Sequence, residues 1–125
     1  MANSTWAFDD TLSFVMDSVS SKMACEVSLE LRLGRGYPYR DLWMDIERLL
    51  GDSIIGKESV CMTLYDDYGS FLADGFGNSY QIGRVVFPNI ILPDSTAYTF
   101  RVRHIMSDLY LSDIHDVGIR VRRIK

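Results

Sequence analysis

Two cysteines, three prolines and two histidines are all that this chain of 125 residues holds of the types that staple small folds, break strands or titrate near neutrality. Cys25 and Cys61 are too few for a disulfide framework or a zinc site and read as free thiols. Neither His104 nor His115 has a partner at a zinc-binding spacing such as H-E-x-x-H. No G-x-S-x-G elbow or phosphate-binding glycine motif occurs. No enzyme activity, metal or cofactor is therefore expected. Net positive charge is also missing: the formal charge is -4 and the pI about 5.0, which leaves no electrostatic footprint for a phosphate backbone and excludes nucleic acid as the expected partner. No apolar run approaches the roughly eighteen residues that a membrane span needs, and Met1-Ala2-Asn3-Ser4 has no apolar signal core.

What remains is ordinary globular material, 47% hydrophobic and 24% charged, expected to form a single domain over residues 1–125. Its organisation is a string of short strands. Trp6 to Met16 reads as a first edge strand. Cys25, Val27, Leu29, Leu31 and Leu33 alternate with Glu26, Ser28, Glu30 and Arg32, so one face is buried and one is wet. Leu42, Met44 and Ile46 alternate with Trp43, Asp45 and Glu47 in a third strand. Gly51 to Ser59 reads as a loop. Val60, Met62 and Leu64 follow as a strand that points Cys61 to the opposite face, so Cys25 faces in, Cys61 faces out, and no bond joins them.

Asp66-Asp67-Tyr68-Gly69 is a turn that closes a hairpin onto Phe71-Leu72-Ala73, and Asp74 to Asn78 makes a second turn. Tyr80 to Phe87 is a strand that Pro88 is expected to end, and Pro93-Asp94-Ser95 is a further turn. Tyr98, Phe100, Val102, His104 and Met106 alternate with Thr99, Arg101, Arg103 and Ile105. Ser107 to Asp116 reads as a connection, and Val117, Ile119 and Val121 carry the last strand. About eight strands without a long amphipathic helix predict an all-β antiparallel sandwich, immunoglobulin-like or jelly-roll-like.

Four groups of residues are candidates for function. Arg101, Arg103, Arg120 and Arg122 share the polar faces of two strands expected to be neighbours, and a basic stripe there would receive an anionic glycan, a lipid headgroup or an acidic partner. The plainer expectation is pairing with carboxylates such as Glu26 and Glu30. Trp43, Phe71, Phe76 and Tyr80 lie on or near loops, where exposed rings stack on sugars, although large rings are more often core. Asp66, Asp67, Asp74 and Asn78 resemble calcium ligands in type but match no calcium loop, and carboxylates beside glycine usually form turns. His104 stands on the apolar parity of its strand and reads as a hydrogen-bonded packing residue. The fourth group is a structural corner, Tyr37-Pro38-Tyr39-Arg40-Asp41-Leu42-Trp43, where Pro38 fixes an extended bend. Tyr37 and Tyr39 are expected to cover the sandwich end, with Leu42 facing in and Trp43 out.

That corner, preceded by Leu31-Arg32-Leu33, resembles the GldH family of gliding-motility lipoproteins. Leu64-Tyr65-Asp66-Asp67-Tyr68-Gly69-Ser70-Phe71-Leu72 with Gly75 and Gly77, then Tyr98 to Met106, then Ile114-His115-Asp116-Val117-Gly118-Ile119, resemble later parts of the same family in the same order. Asp41 and Ser107 depart from its pattern, where an amide and a basic residue are expected. The resemblance implies a non-enzymatic lipoprotein in the cell envelope of a Gram-negative bacterium, its signal peptide and lipid-bearing cysteine upstream of Met1. It implies partners among other envelope proteins, in a motility or secretion assembly. The alternative from a different class is a glycan-binding sandwich module.

Overall fold

Alternation decides the pairing. A computed structural model describes residues 5–16, 23–93 and 96–124, and among these ten strands and no helix form. They are β1 (Thr5–Ala7), β2 (Leu12–Met16), β3 (Met23–Leu33), β4 (Asp41–Leu50) and β5 (Ser53–Thr63). After them come β6 (Asp74–Phe76), β7 (Ser79–Leu92), β8 (Tyr98–His104), β9 (Tyr110–Ser112) and β10 (Ile114–Arg123). One sheet has the order β2-β8-β4-β5, the second β10-β3-β7-β6, and a two-stranded ribbon joins β1 to β9. All pairs are antiparallel.

The apolar rows predicted on β3, β4 and β8 form the inner layer. Val27, Leu29, Leu33, Leu42, Met44, Ile46, Phe100 and Val102 are fully buried, and burying a side chain of this size contributes roughly 1.5–3 kcal/mol. The layers meet where Phe87 of β7 stacks on Phe100 of β8, ring centres 6.1 Å apart. An antiparallel β-sandwich is the architecture that the sequence predicts.

Several expected boundaries are corrected. Trp6 to Met16 is two strands: β1 joins the ribbon, β2 takes the edge beside β8, and Asp10 N–H donates to the Ala7 carbonyl in the turn between them. Gly51 to Ser59 is mostly strand, because β5 begins at Ser53. Residues 53–59 are exposed or half-exposed on both faces, so the segment has no period-two signal to read. Pro88 does not end β7, which continues to Leu92. β6 covers β7 only from Ser79 to Gln81, so Pro88 lies on an open edge, where its missing N–H costs no ladder bond. Ser107 to Asp116 contains β9 and the start of β10 rather than a plain connection. Asp94 and Ser95 of the expected third turn lie outside the described residues.

Cys25 is buried on β3, and Cys61 is half-buried on β5 in the other sheet. His104 is 2% exposed, with the Trp6 ring edge-on at 5.5 Å. It is a packing residue, but not a hydrogen-bonded one. Neither ring nitrogen makes a well-formed hydrogen bond, and only a weak polar contact with the Trp6 main chain offsets this. Burial lowers its pKa below the usual 6.5, outweighing the opposing Trp6 and Asp108 contributions, and Arg103 pushes the same way.

The folded state therefore prefers neutral His104, and stability is full above the unfolded value and declines as pH falls below it. We expect the melting temperature of the wild-type chain to drop between about pH 7 and pH 5, with a shallower drop for His104→Leu. Parallel curves for the two proteins would contradict this.

Candidate functional site

The predicted corner builds one end of the sandwich. Tyr37 is 3% exposed, and its hydroxyl donates to the Asp41 carbonyl at 2.8 Å. Burial, then the neighbouring Tyr39, Asp108, Asp41 and Cys61, push its phenol pKa up. Tyr39 packs edge-on over Tyr37 at 5.8 Å and donates to Asp108 at 2.6 Å. It remains partly exposed, as does Pro38. Leu42 faces in and Trp43 faces out, 45% exposed.

Beside it lies a polar knot that sequence reasoning missed. Asp113 has φ 61°, a conformation Asp tolerates better than most residues. From there its carboxylate accepts Gly36 N–H at 2.8 Å and Asn78 Nδ2 at 3.3 Å, and meets His115 Nε2 at 2.8 Å. Burial alone would raise the Asp113 pKa, but these three hydrogen bonds outweigh it and hold it below the usual range. Gly34 is required by close approach: a Cβ there would collide with the Asp113 carboxylate. The knot ties β3, the β6–β7 turn and the start of β10 together.

The four arginines do not form one stripe. Their strands β8 and β10 lie in different sheets, which corrects the expectation that they are neighbours. Arg101 pairs with Glu47 at 3.1 Å, Arg103 with Asp45 at 3.3 Å, and Arg122 with Glu26 at 3.1 Å. The partly exposed Arg101 and Arg122 pairs contribute typically under about 1 kcal/mol each, whereas Asp45 is buried and also accepts from Ser59. Arg120 has no such partner among the described residues.

The aromatic candidates are likewise scattered. Phe71 and Tyr80 pack together at 5.0 Å, and the Arg35 guanidinium lies over both rings. Phe76 is 87% exposed on β6, while Trp43 is on the other sheet. In the acidic turn, Asp66 Oδ1 accepts Tyr68 and Ser70 N–H, and Asp67 pairs with Arg40. No group of three or more metal-ligating side chains forms among the described residues.

Two recessed surfaces lie apart from the corner and the knot. The first is the seam where the open edges of β5 and β7 face each other. Leu64 N–H bonds to the Arg40 carbonyl, so the matching pairs Leu42–Met62, Met44–Val60 and Ile46–Glu58 carry the ladder bonds. The main-chain groups of Lys57, Ser59 and Cys61 then point away from β4, toward the open side. Arg84 of β7 donates across the seam to the Cys61 carbonyl, which shows that direction. Trp43, Ser59, Arg84, Val85 and Val86 are among the residues lining a cleft of ≈ 320 Å³ there.

The second surface is the outer face of the other sheet. Gly118 of β10, Glu30 of β3 and Gly83 of β7 stand in one row across the strands. Asp116, Arg32 and Gln81 form the row on one side, and Arg120, Ser28 and Val85 the row on the other. Depressions of ≈ 430 Å³ flank the Glu30 side chain; the space over Gly118 is open, while the Glu30 carboxylate itself lies over Gly83, where a Cβ would collide with it.

The GldH lipoprotein family model matches residues 1–121 of the chain. No curated protein and no solved structure matches it.

Proposed function

We propose, because this chain belongs to the GldH lipoprotein family, that it is a non-enzymatic, lipid-tethered domain that holds other envelope proteins together. The family is one of membrane-anchored envelope lipoproteins of the gliding-motility type, and the tether fixes the domain at a bilayer surface where protein contacts are its work. The observation that carries the reading is the β5–β7 seam. Outward-pointing N–H and C=O groups of Lys57 and Ser59 offer ladder partners to one added strand. Val85 and Trp43, both nearly half exposed, supply apolar surface for its side chains. The partner is thus an extended segment of another envelope protein, laid along β5.

Photo-crosslinking in cells tests this. A crosslinking residue placed at Ser59 should trap one or a few defined envelope proteins, while the same residue at Ser13, on the far edge strand β2, should not. Val85→Asp should abolish the Ser59 product while changing stability by no more than about 0.5 kcal/mol, as expected for an exposed position. Equal products from Ser59 and Ser13, or none from either, would refute the seam as the docking edge.

A further inference from the structure

Glu30 occupies the middle of the outer face of the β10-β3-β7-β6 sheet with no hydrogen bond or ion pair among the described residues. Four charged groups on that face are paired, Arg32 with Asp116 and Glu26 with Arg122. Arg120, which lines the same depression, is also unpaired. A carboxylate and a guanidinium thus share one recess, each with free hydrogen-bonding capacity, beside the Gln81 amide.

Gly118 makes the recess deep, and nothing in the fold asks for glycine there. Its φ is not among the positive ones, and a Cβ would meet no atom within 4 Å. Glycine inside a strand weakens it, and without a conformational reason it marks a place where another molecule comes close to the backbone. On the other side of Glu30 the second depression runs past Gly83 to Leu72 and Asp74. Glu30 and Gln81 wall both, and the Glu30 carboxylate, lying over Gly83, stands between the two halves of one trough across the strands. Phe76 shares the cross-strand parity of Asp74 and Gln81, which places an almost wholly exposed ring at one end of this face.

The chemistry of the walls selects the occupant. A lysine side chain would satisfy Glu30 but meet Arg120 unfavourably, and an acidic side chain would do the reverse. Adjacent hydroxyls satisfy both, since each donates to a carboxylate and accepts from a guanidinium or an amide. We propose that this trough is a binding site for a neutral oligosaccharide. One ring lies over Gly118 with its hydroxyls between Glu30 and Arg120, and the chain continues across the Glu30 carboxylate, which covers Gly83, toward Phe76. The site is separate from the β5–β7 seam, so one domain would hold a protein partner at its edge and a glycan on its face.

The test is titration of the isotope-labelled domain with three probes: maltotriose, cellotriose and the trisaccharide of β-1,4-linked N-acetylglucosamine. At least one should shift the amide signals of Ser28, Glu30, Gly83, Gly118 and Arg120. Gly118→Val, which fills the recess with a good strand former, should weaken that binding at least about tenfold while leaving the melting temperature equal or higher. Glu30→Gln should weaken it less, because the amide still accepts one hydroxyl. Trp43→Asp, which disables the seam from the other sheet, should leave sugar binding in place, so failure of either reading is recognised apart from the other. Signals that do not move with any of the three probes overturn the proposal, as does sugar binding that survives Gly118→Val. Gly118→Val that abolishes protein crosslinking from a residue placed at Ser28, with no sugar bound by the wild type, overturns it in favour of a protein-docking face.

Discussion

Trp6→Ala should cost the domain about 3–5 kcal/mol, the range for emptying a large aromatic site in a packed core. That is a large share of the roughly 5–15 kcal/mol by which domains of this size are stable. Trp6 is fully buried although its strand is only three residues long. β1 and β9 exchange few ladder bonds, so the ribbon is held down by Trp6 and its cross-strand partner Leu111, also fully buried. The indole N–H donates to the Asp10 carbonyl at 2.8 Å and fixes the turn that follows. Removing the ring opens the site over His104 to water and should also flatten the acid sensitivity expected of that histidine. Trp6→Phe keeps much of the bulk and loses the N–H bond, for a smaller loss of about 1–2 kcal/mol. Urea unfolding of the three proteins checks the series. A Trp6→Ala protein within 1 kcal/mol of wild type would show that the ribbon does not seal the core.

The second large effect is at Tyr37. Tyr37→Ala should destabilise by about 2–4 kcal/mol, because a nearly buried ring is lost and the Asp41 carbonyl loses its donor. Tyr37→Phe separates the two contributions: the ring stays and only the hydroxyl goes, at about 1 kcal/mol. Tyr39→Phe, at a partly exposed ring, should stay within about 0.5 kcal/mol. Unfolding curves that place Tyr37→Ala beside Tyr39→Phe would mean that the corner is a surface ornament. The wide gap expected between them makes it a cover for the core beneath.

Sequence patterns carried the parts of this fold where one face of a strand is buried and the other wet. Val27, Leu29 and Leu31, or Phe100 and Val102, announce their face because each polar neighbour contrasts with them. The first half of β5, residues 53–59, is exposed or half-exposed on both faces, so Ile54 and Ile55 stand exposed next to one another and the contrast vanishes. Pro88 misled because a proline ends a strand only where its N–H is needed, and that depends on which neighbour β7 has. The arginines show the same limit at larger scale: the faces of β8 and β10 were legible, their membership in different sheets was not. Pairing over such separations is a property of topology rather than of local pattern. The Asp113 knot had one readable sign, the glycines at 34 and 36, but its acid lies 77 positions away from Gly36. The Glu30 row needs register across three strands. Its only local trace is Gly118, an isolated glycine inside a strand pattern.

The position of β3 between β7 and β10 governs the order in which the chain can fold. Glu26 finds its cross-strand ion partner Arg122 across 96 positions, and β3 meets β10 along nearly its whole length. During synthesis β3, which carries five of the buried apolar side chains, must wait with one side unpaired until almost the last residues have emerged. Topologies dominated by such distant contacts fold on the millisecond-to-second scale, well behind helical bundles. For a member of this lipoprotein family, closure of the second sheet is therefore a late and slow event that waits for β10.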